Sequence, residues 1–395
     1  MIEAKQLLKL SQHLQPQLIE WRRDFHQHPE IGFKEIRTSQ RIAQVLEDLD
    51  YKPITGIAET GLIAHIEGQR PKPRILLRFD MDALPIQEAR KSEYRSINDG
   101  VMHACGHDGH MAIGLGVATI LREFQGKLPG SVVMLFQPAE EGLGGAQRMI
   151  EERVLLQADP DYALGMHIWN EKPLGWLGLR PGPSMAGADS FTITIQGKGG
   201  HGAQPHLAHD PILAAAHLVT ALQAIVSRRV DPLQSAVLSI TQFEGGDAFN
   251  VIPDQVNVRG TIRTFSMETR QLIIEEMHRM ADHHAKSFNC QADLEIQEIT
   301  APLVNEPSLA RLLVERFRAL MPTLQIDDDY RVMGSEDMAC FLAQVPGCYF
   351  FIGSANAKEG LDAAHHNPHF DFDESVLHQA VYLCVQAVLS LMEDR

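Results

Sequence analysis

Apolar residues recur at helical spacing from the start of the chain. Over residues 3–28, Leu7, Leu8, Leu10, Leu14, Leu18, Ile19, Trp21 and Phe25 form one broad stripe and predict an amphipathic helix. The pattern then becomes one of short apolar runs. RILLRFDMDALP (74–85), SVVMLFQP (131–138) and YALGMHIW (162–169) read as buried strands, and MAIGLGVATILREF (111–124) and AQRMIEERVL read as helices between them. Strands alternating with helices predict an α/β layer with a mostly parallel sheet.

The texture changes after RPGPSMAGA (180–188), a Pro/Gly/Ala stretch that reads as a linker. SFTITIQG alternates at period two and predicts a strand. A long helix is predicted at 210–230, with Asp210 as N-cap and Pro211 in the first turn. Strands follow at SAVLSITQFEGG and 256–265, then a helix at 267–288 and a strand at CQADLEIQEIT. This β-α-β-β-α-β order is that of a ferredoxin-like unit. From about residue 300 the first texture resumes, with helices at PSLARLLVERFRALM, SEDMACFLAQV and SVLHQAVYLCVQAVLSLM and a strand at GCYFFIGSA. The expected organisation is one discontinuous α/β domain, 1–184 and 298–395, with a small domain at 185–297 inserted into it.

Composition narrows the function classes. The 395 residues are 44% hydrophobic and 22% charged, enough for a sizeable core. A formal charge of −16 argues against nucleic acid and anionic membranes, which require a positive field. The five cysteines are scattered and lack a CxxC pair, which fits a reducing compartment. The N-terminal segment is charged and has no signal-like apolar core, and no apolar run of about 18 residues is evident. A cytoplasmic location is the expectation.

Potential ligands gather where the predicted strands end. They are Asp80 and Asp82, the loop MHACGHDGHMA with Cys105 and His107, the pair Glu140 and Glu141, His167, and HHNPHF at 365–370. Loops beyond the carboxyl ends of parallel strands form the site of an α/β sheet. Taken singly, His103, His110, His365 and His369 would be ordinary hydrogen-bonded histidines, and Cys105 a small buried hydrophobe. Taken together, five acid, thiol or imidazole clusters on one sheet edge point to a metal. Nitrogen, sulfur and carboxylate donors in one set suit zinc or a similar divalent ion, with manganese and nickel open. Of two adjacent glutamates, one can bind metal while the other faces the attacking water, the division needed for metal-assisted hydrolysis. A thiolate can bridge two metals, and Cys105 is the candidate.

The ordered set RRDFHQHPEIGFKE, RFDMDALPIQE, MHACGHDGHMA, FQPAEEGLGGA, GMHIW, GGHGAQPHLAHDP, NVIPD, GTIRTF, GSEDMACF and HHNPHFDFDE spans nearly the whole chain. It resembles the metal-dependent amidohydrolases that include hippurate hydrolase, N-acyl-L-amino-acid amidohydrolases and indoleacetyl-amino-acid hydrolases. These form a branch of the aminoacylase/carboxypeptidase superfamily. The resemblance implies a metallohydrolase catalytic domain with a satellite domain, and two divalent ions (zinc, manganese, cobalt or nickel) per subunit. It implies that Cys105 bridges them and that His107, Glu141, His167 and His366 complete the ligand set. Glu140 would be the general base and then the acid for the leaving nitrogen. His201 would reach the carbonyl oxygen of the tetrahedral intermediate, and Asn250 and Arg263 would hold the substrate carboxylate. Other branches carry a His-x-Asp where this chain has Arg78-Phe79-Asp80. The missing histidine would be replaced by His107, with Asp80 orienting a ligand imidazole. The implied substrate is a small N-acyl amino acid, and the implied assembly is a homodimer through the satellite domain. A dipeptidase or carboxypeptidase, an auxin-conjugate hydrolase, a non-catalytic metal-binding scaffold and a Cys105–His107 nucleophile remain the alternatives.

Overall fold

The apolar runs 74–80, 131–137, 162–173 and 347–355 lie side by side and parallel at the centre of an eight-stranded sheet. In the computed structural model, which describes residues 3–393, the strand order is 54–57, 61–66, 131–137, 74–80, 162–173, 347–355, 176–178, 325–327. The hairpin 54–66 joins antiparallel at one edge, and 176–178 joins antiparallel beside 347–355. Every residue of 131–137 is buried, and all but the first of 74–80. Strands covered on both faces read as continuous apolar runs, which is why these were legible.

This sheet belongs to a first unit, Met1–Ser184, Val304–Arg331 and Asp337–Arg395. The helices Ala4–Gln27, His107–Phe124 and Val376–Glu393 pack against one another in it. Leu7, Leu18, Trp21 and Phe25 of the first helix enter the core, whereas Leu8, Leu10, Leu14 and Ile19 are only partly covered. The helix read at 111–124 begins earlier, at His107. Gly106 holds the N-cap position at φ 95, a left-handed backbone that glycine adopts without steric cost. The helix Ile36–Asp48 and the hairpin 54–66 have no counterpart among the expected elements.

The second unit comprises Met185–Leu303 with Val332–Glu336. Its antiparallel sheet has the order 236–244, 255–264, 187–196, 291–300, and the helices Pro211–Arg228 and Met267–Ser287 pack on it. This is the expected βαββαβ arrangement. Asp210 Oδ1 accepts from Ile212 N and Leu213 N at 2.9 and 3.3 Å, and Ser266 Oγ accepts from Thr269 N at 3.1 Å, so both helices start at side-chain caps. Residues 187–196, read partly as linker, form the strand at the sheet's interior.

One expectation is corrected. Among the described residues two helices, Pro211–Arg228 and Val376–Glu393, are long and apolar enough to cross a membrane by length and composition. The second is 83% buried inside the protein, as a core helix is; the first is 33% buried.

Candidate metal centre

The parallel strands deliver the site's side chains within the first unit. Asp80 ends its strand opposite Gln137, whose own strand leads into Glu140 and Glu141. Pairing between 74–80 and 162–173 stops at Arg78–Gly165, two residues before His167, while His167 stays paired with Phe351 on its other side. Cys105 and His107 sit at the start of helix His107–Phe124. His366, at φ 63, donates its backbone N–H to Ala104 O at 2.8 Å, which ties the 365–370 loop to the cysteine loop.

Two donor triads result, and they share Cys105. Donor atoms of Cys105, His107 and His167 lie within 4.8 Å of one another, as do those of Cys105, Glu141 and His366. His107, Glu140 and Glu141 form a third such group. Cys105 Sγ stands 3.5 Å from His167 Nε2. His366 Nε2 stands 3.2 Å from Glu141 Oε1, although that oxygen has no partner with hydrogen-bond geometry.

The imidazoles are oriented from behind. His107 Nδ1 donates to Asp82 O at 2.9 Å, leaving Nε2, buried and without a hydrogen-bond partner, as its candidate donor to a metal. His167 Nδ1 donates to Ile168 O at 2.6 Å, which turns Nε2 towards the thiol. Fixing one ring nitrogen in this way selects the tautomer whose other nitrogen can bind metal.

Asp80 acts differently from the sequence expectation. Its carboxylate accepts from His110 Nδ1 at 2.6 Å and from Arg78 Nη1 at 2.6 Å, while His107 Nε2 lies 3.8 Å away, beyond hydrogen bonding. Since His110 Nε2 accepts from Ile168 N at 2.9 Å, His110 carries its proton on Nδ1. Asp80 therefore holds His110, which grips the backbone beside His167. The acid next to His107 is Asp82, whose Oδ1 is 3.3 Å from His107 Nδ1 and whose Oδ2 accepts from Glu141 N at 3.0 Å. Two aspartates alternating past one strand end were the signal for it.

The contacts of two residues named from the sequence, His365 and Arg78, were not legible in it. His365 Nδ1 lies 3.8 Å from Cys105 Sγ, and its Nε2 accepts from Asn170 N at 3.1 Å. Burial holds its pKa down to about 3, so it is neutral. Arg78, fully enclosed, donates to Gln137, Asp80 and Asp337, and Gln137 donates to Asp337 in turn. His103 is also buried, with neither ring nitrogen hydrogen-bonded.

The electrostatics ask for a cation. Burial, then Glu141, Glu140 and Asp80, push the Cys105 thiol well above its ordinary value. For His107 burial works against the charged form, yet Asp80, Asp82 and Glu141 prevail and raise it to about 10. Metal ligands must be thiolate and neutral imidazole. A divalent cation would supply the positive charge that both departures call for, and the buried donor atoms His107 Nε2 and Glu141 Oε1, neither with a partner in hydrogen-bond geometry, fit such an ion. Reactive cysteines occupy electropositive surroundings, the reverse of this pocket, which disfavours Cys105 as a nucleophile.

His201, Asn250 and Arg263 belong to the second unit. His201 pairs with Val251 in a two-residue ladder, and Gly202 N donates to Asn250 O at 2.8 Å, so His201 and Asn250 share one exposed loop pair. His201 Nδ1 accepts from Ala203 N at 3.0 Å, which leaves the proton on Nε2. Arg263 lies on strand 255–264, half-buried, and donates to Ser335 Oγ at 2.9 Å.

Such a donor set on this fold defines a metallohydrolase, and comparison with known proteins agrees. The profile of peptidase family M20/M25/M40 matches residues 76–390. N-acetyl-L-cysteine deacetylase of Bacillus subtilis is 38% identical over 96% of this chain and 89% of its own length. IAA-amino acid hydrolase ILR1-like 4 of Arabidopsis thaliana is 37% identical over 90% and 81%. The Bacillus subtilis YXEP protein, a dinuclear metal binding peptidase from the M20 family, superposes with a TM-score of 0.86 at 34% identity, covering 97% of this chain and 99% of that one. The chain belongs to peptidase family M20/M25/M40, and is a hydrolase of its amidohydrolase and peptidase kind.

Proposed function

We propose that the protein hydrolyses the amide bond of N-acyl or N-aroyl amino acids, releasing a carboxylic acid and a free amino acid. The observation that carries this reading is the sharing of Cys105 by two donor triads with Glu140 beside them. Cys105, His107 and His167 would hold one divalent ion, and Cys105, Glu141 and His366 a second. Zinc, manganese, cobalt and nickel all suit the donors. Ions bound there supply Lewis acidity to the scissile carbonyl and lower the pKa of the attacking water towards about 7.

The residues do the rest. Asp82 and Ile168 hold the two imidazoles by their carbonyl oxygens. Glu140 takes the proton that water loses on attacking the carbonyl carbon. It returns that proton to the nitrogen as the C–N bond breaks. In this reading His201 Nε2–H donates to the oxygen of the tetrahedral intermediate, and Asn250 and Arg263 hold the substrate carboxylate. The same chemistry would serve a peptide's C-terminal amide. A relative 37% identical, thermostable carboxypeptidase 2 of Saccharolobus solfataricus, keeps that substrate class in view.

The second unit is proposed to form a homodimer. Its strand 236–244 is a sheet edge, and Phe243, Ile212 and Leu213 are exposed there and on helix Pro211–Arg228. Unpaired edges and apolar patches are features that association covers.

The test is amino acid release from hippurate, N-acetyl amino acids and dipeptides by protein loaded with zinc, manganese or cobalt. Turnover of the acylated amino acids ahead of the dipeptides supports the reading. Loaded protein that turns over none of them contradicts it.

A further inference from the structure

Glu35 is a buried carboxyl that the mechanism above does not use. It occupies the N-cap position of helix Ile36–Asp48, yet its side chain makes no cap. Instead Oε2 accepts from Thr60 Oγ1 at 2.6 Å and Oε1 accepts from Ala139 N at 2.9 Å. The side chain is entirely shielded from solvent. Burying a carboxyl is costly, and burial pushes this one up to about 7.

The contact that distinguishes Glu35 is with Ala139, the residue directly before Glu140. Ala139 adopts φ 56, in the left-handed region that a residue with a Cβ occupies at an energetic cost. Such a backbone persists only when its surroundings hold it. Ala139 is held at both ends: its N–H by Glu35, and its C=O by Gly145 N at 3.0 Å. The same segment also presses on it from the side. A Cβ at Gly32 would fall 3.0 Å from Ala139 Cα, so the chain leading to Glu35 lies directly against this residue. The strand ends at Gln137, and the dihedrals of Ala139 set the direction in which the chain beyond it runs into Glu140.

We infer that Glu35 is a positioning residue for catalysis: by accepting the Ala139 N–H it locks the strained turn that aims Glu140. The inference rests on the reading of Glu140 as the proton-transferring group. A displacement of about 1 Å in a reacting group costs up to about a hundredfold in rate. Glu35 contributes no ligand atom to either triad, and Glu141 has its own anchor, its N–H donating to Asp82 Oδ2 at 3.0 Å, so the loss of Glu35 acts on Glu140 ahead of metal.

The experiment compares Glu35→Ala, Glu35→Gln and Glu35→Asp with wild type and with Glu140→Gln, on metal-loaded protein with an N-acyl amino acid. Glu35→Ala is expected to lower kcat about ten- to a hundredfold, with KM changed less than about twofold and metal content unchanged. Glu35→Gln is expected to restore most of kcat, because its amide oxygen can accept from Ala139 N and its NH2 can donate to Thr60 Oγ1. Glu35→Asp, one methylene too short to span both partners, is expected to resemble the alanine variant. Wild-type kcat in Glu35→Ala, loss of metal in step with activity, or a glutamine variant no better than alanine would overturn the inference. If Glu35→Ala does not fold, the glutamine and aspartate variants decide: equal kcat in the two, or a better aspartate, overturns it. Full activity in Glu140→Gln would instead remove the reading of Glu140. An inactive Glu140→Gln beside a fully active Glu35→Ala would reject the role of Glu35 alone.

Discussion

The two units solve the problem of placing functional side chains in opposite ways. In the first, the sheet is enclosed and the chemistry is built inward. Arg22, Arg78, Asp80, His107, Asp108 and His110 are almost wholly shielded, and each has its charge or ring nitrogens met by a named partner or aimed at the ligand groups. In the second, the sheet carries helices that leave much of its surface open, and His201 and Asn250 stand in exposed loops. Enclosure fixes ligand atoms to the tolerance that metal geometry needs. Exposure leaves a donor free to meet a substrate. The cost of altering a residue should therefore depend on its unit and on whether its partners are buried with it.

The largest effect separates chemistry from structure in the enclosed unit. Glu140→Ala is expected to lower kcat by about 10²–10⁴-fold, with metal content unchanged by elemental analysis. Loss of metal instead would mean Glu140 is a ligand. Next comes the ionic cluster behind the site. Arg22 bonds Asp108 at 2.8 Å and Asp371 at 2.7 Å with neither partner exposed, and so joins the residue after His107 to the loop that carries His366. Arg22→Ala leaves Asp108 to His26 Nδ1 at 2.8 Å and Asp371 to Tyr94 and Arg90 at 2.7 and 3.0 Å, and removing the buried guanidinium should destabilise the protein by about 3 kcal/mol in denaturant unfolding. A value near zero would break the claim that the first unit depends on buried pairing.

The exposed unit should respond in activity alone. His201→Ala is expected to cost about 10²–10³-fold in kcat, with the unfolding midpoint and metal content unmoved. A fall in stability would place His201 in a structural role. The smallest effect is at the surface ion pair Lys286–Asp282, 2.8 Å apart on one helix, where Lys286→Ala should change stability by no more than about 0.5 kcal/mol.

The same contrast explains what could be read from the chain alone. The enclosed strands announced themselves as unbroken apolar runs, and the open sheet as alternation, as in the buried and half-buried positions of 255–264. The helix 36–48 was missed because only Thr38, Ser39, Ile42, Val45 and Leu46 are buried in a mainly polar stretch. Strand 54–57 was missed because three of its four residues are exposed. Candidate donor groups were legible because thiol, imidazole and paired glutamates cluster near strand ends, and the fold brings them within reach of one another. Their supports were not. Arg78 meets Asp337 across 259 positions, and Glu35 meets Ala139 across 104, distances that no local pattern spans. The role of Asp80 was misjudged for the same reason, since only the fold shows that it faces His110 and that Asp82 stands beside His107.

The sharing of Cys105 between two triads is the central claim, and counting metal tests it most directly. Wild-type protein reconstituted with zinc and freed of excess should hold two ions per chain by elemental analysis, and Cys105→Ala should lose tight binding of both. Retention of two ions by Cys105→Ala, at wild-type affinity, would contradict the shared thiolate.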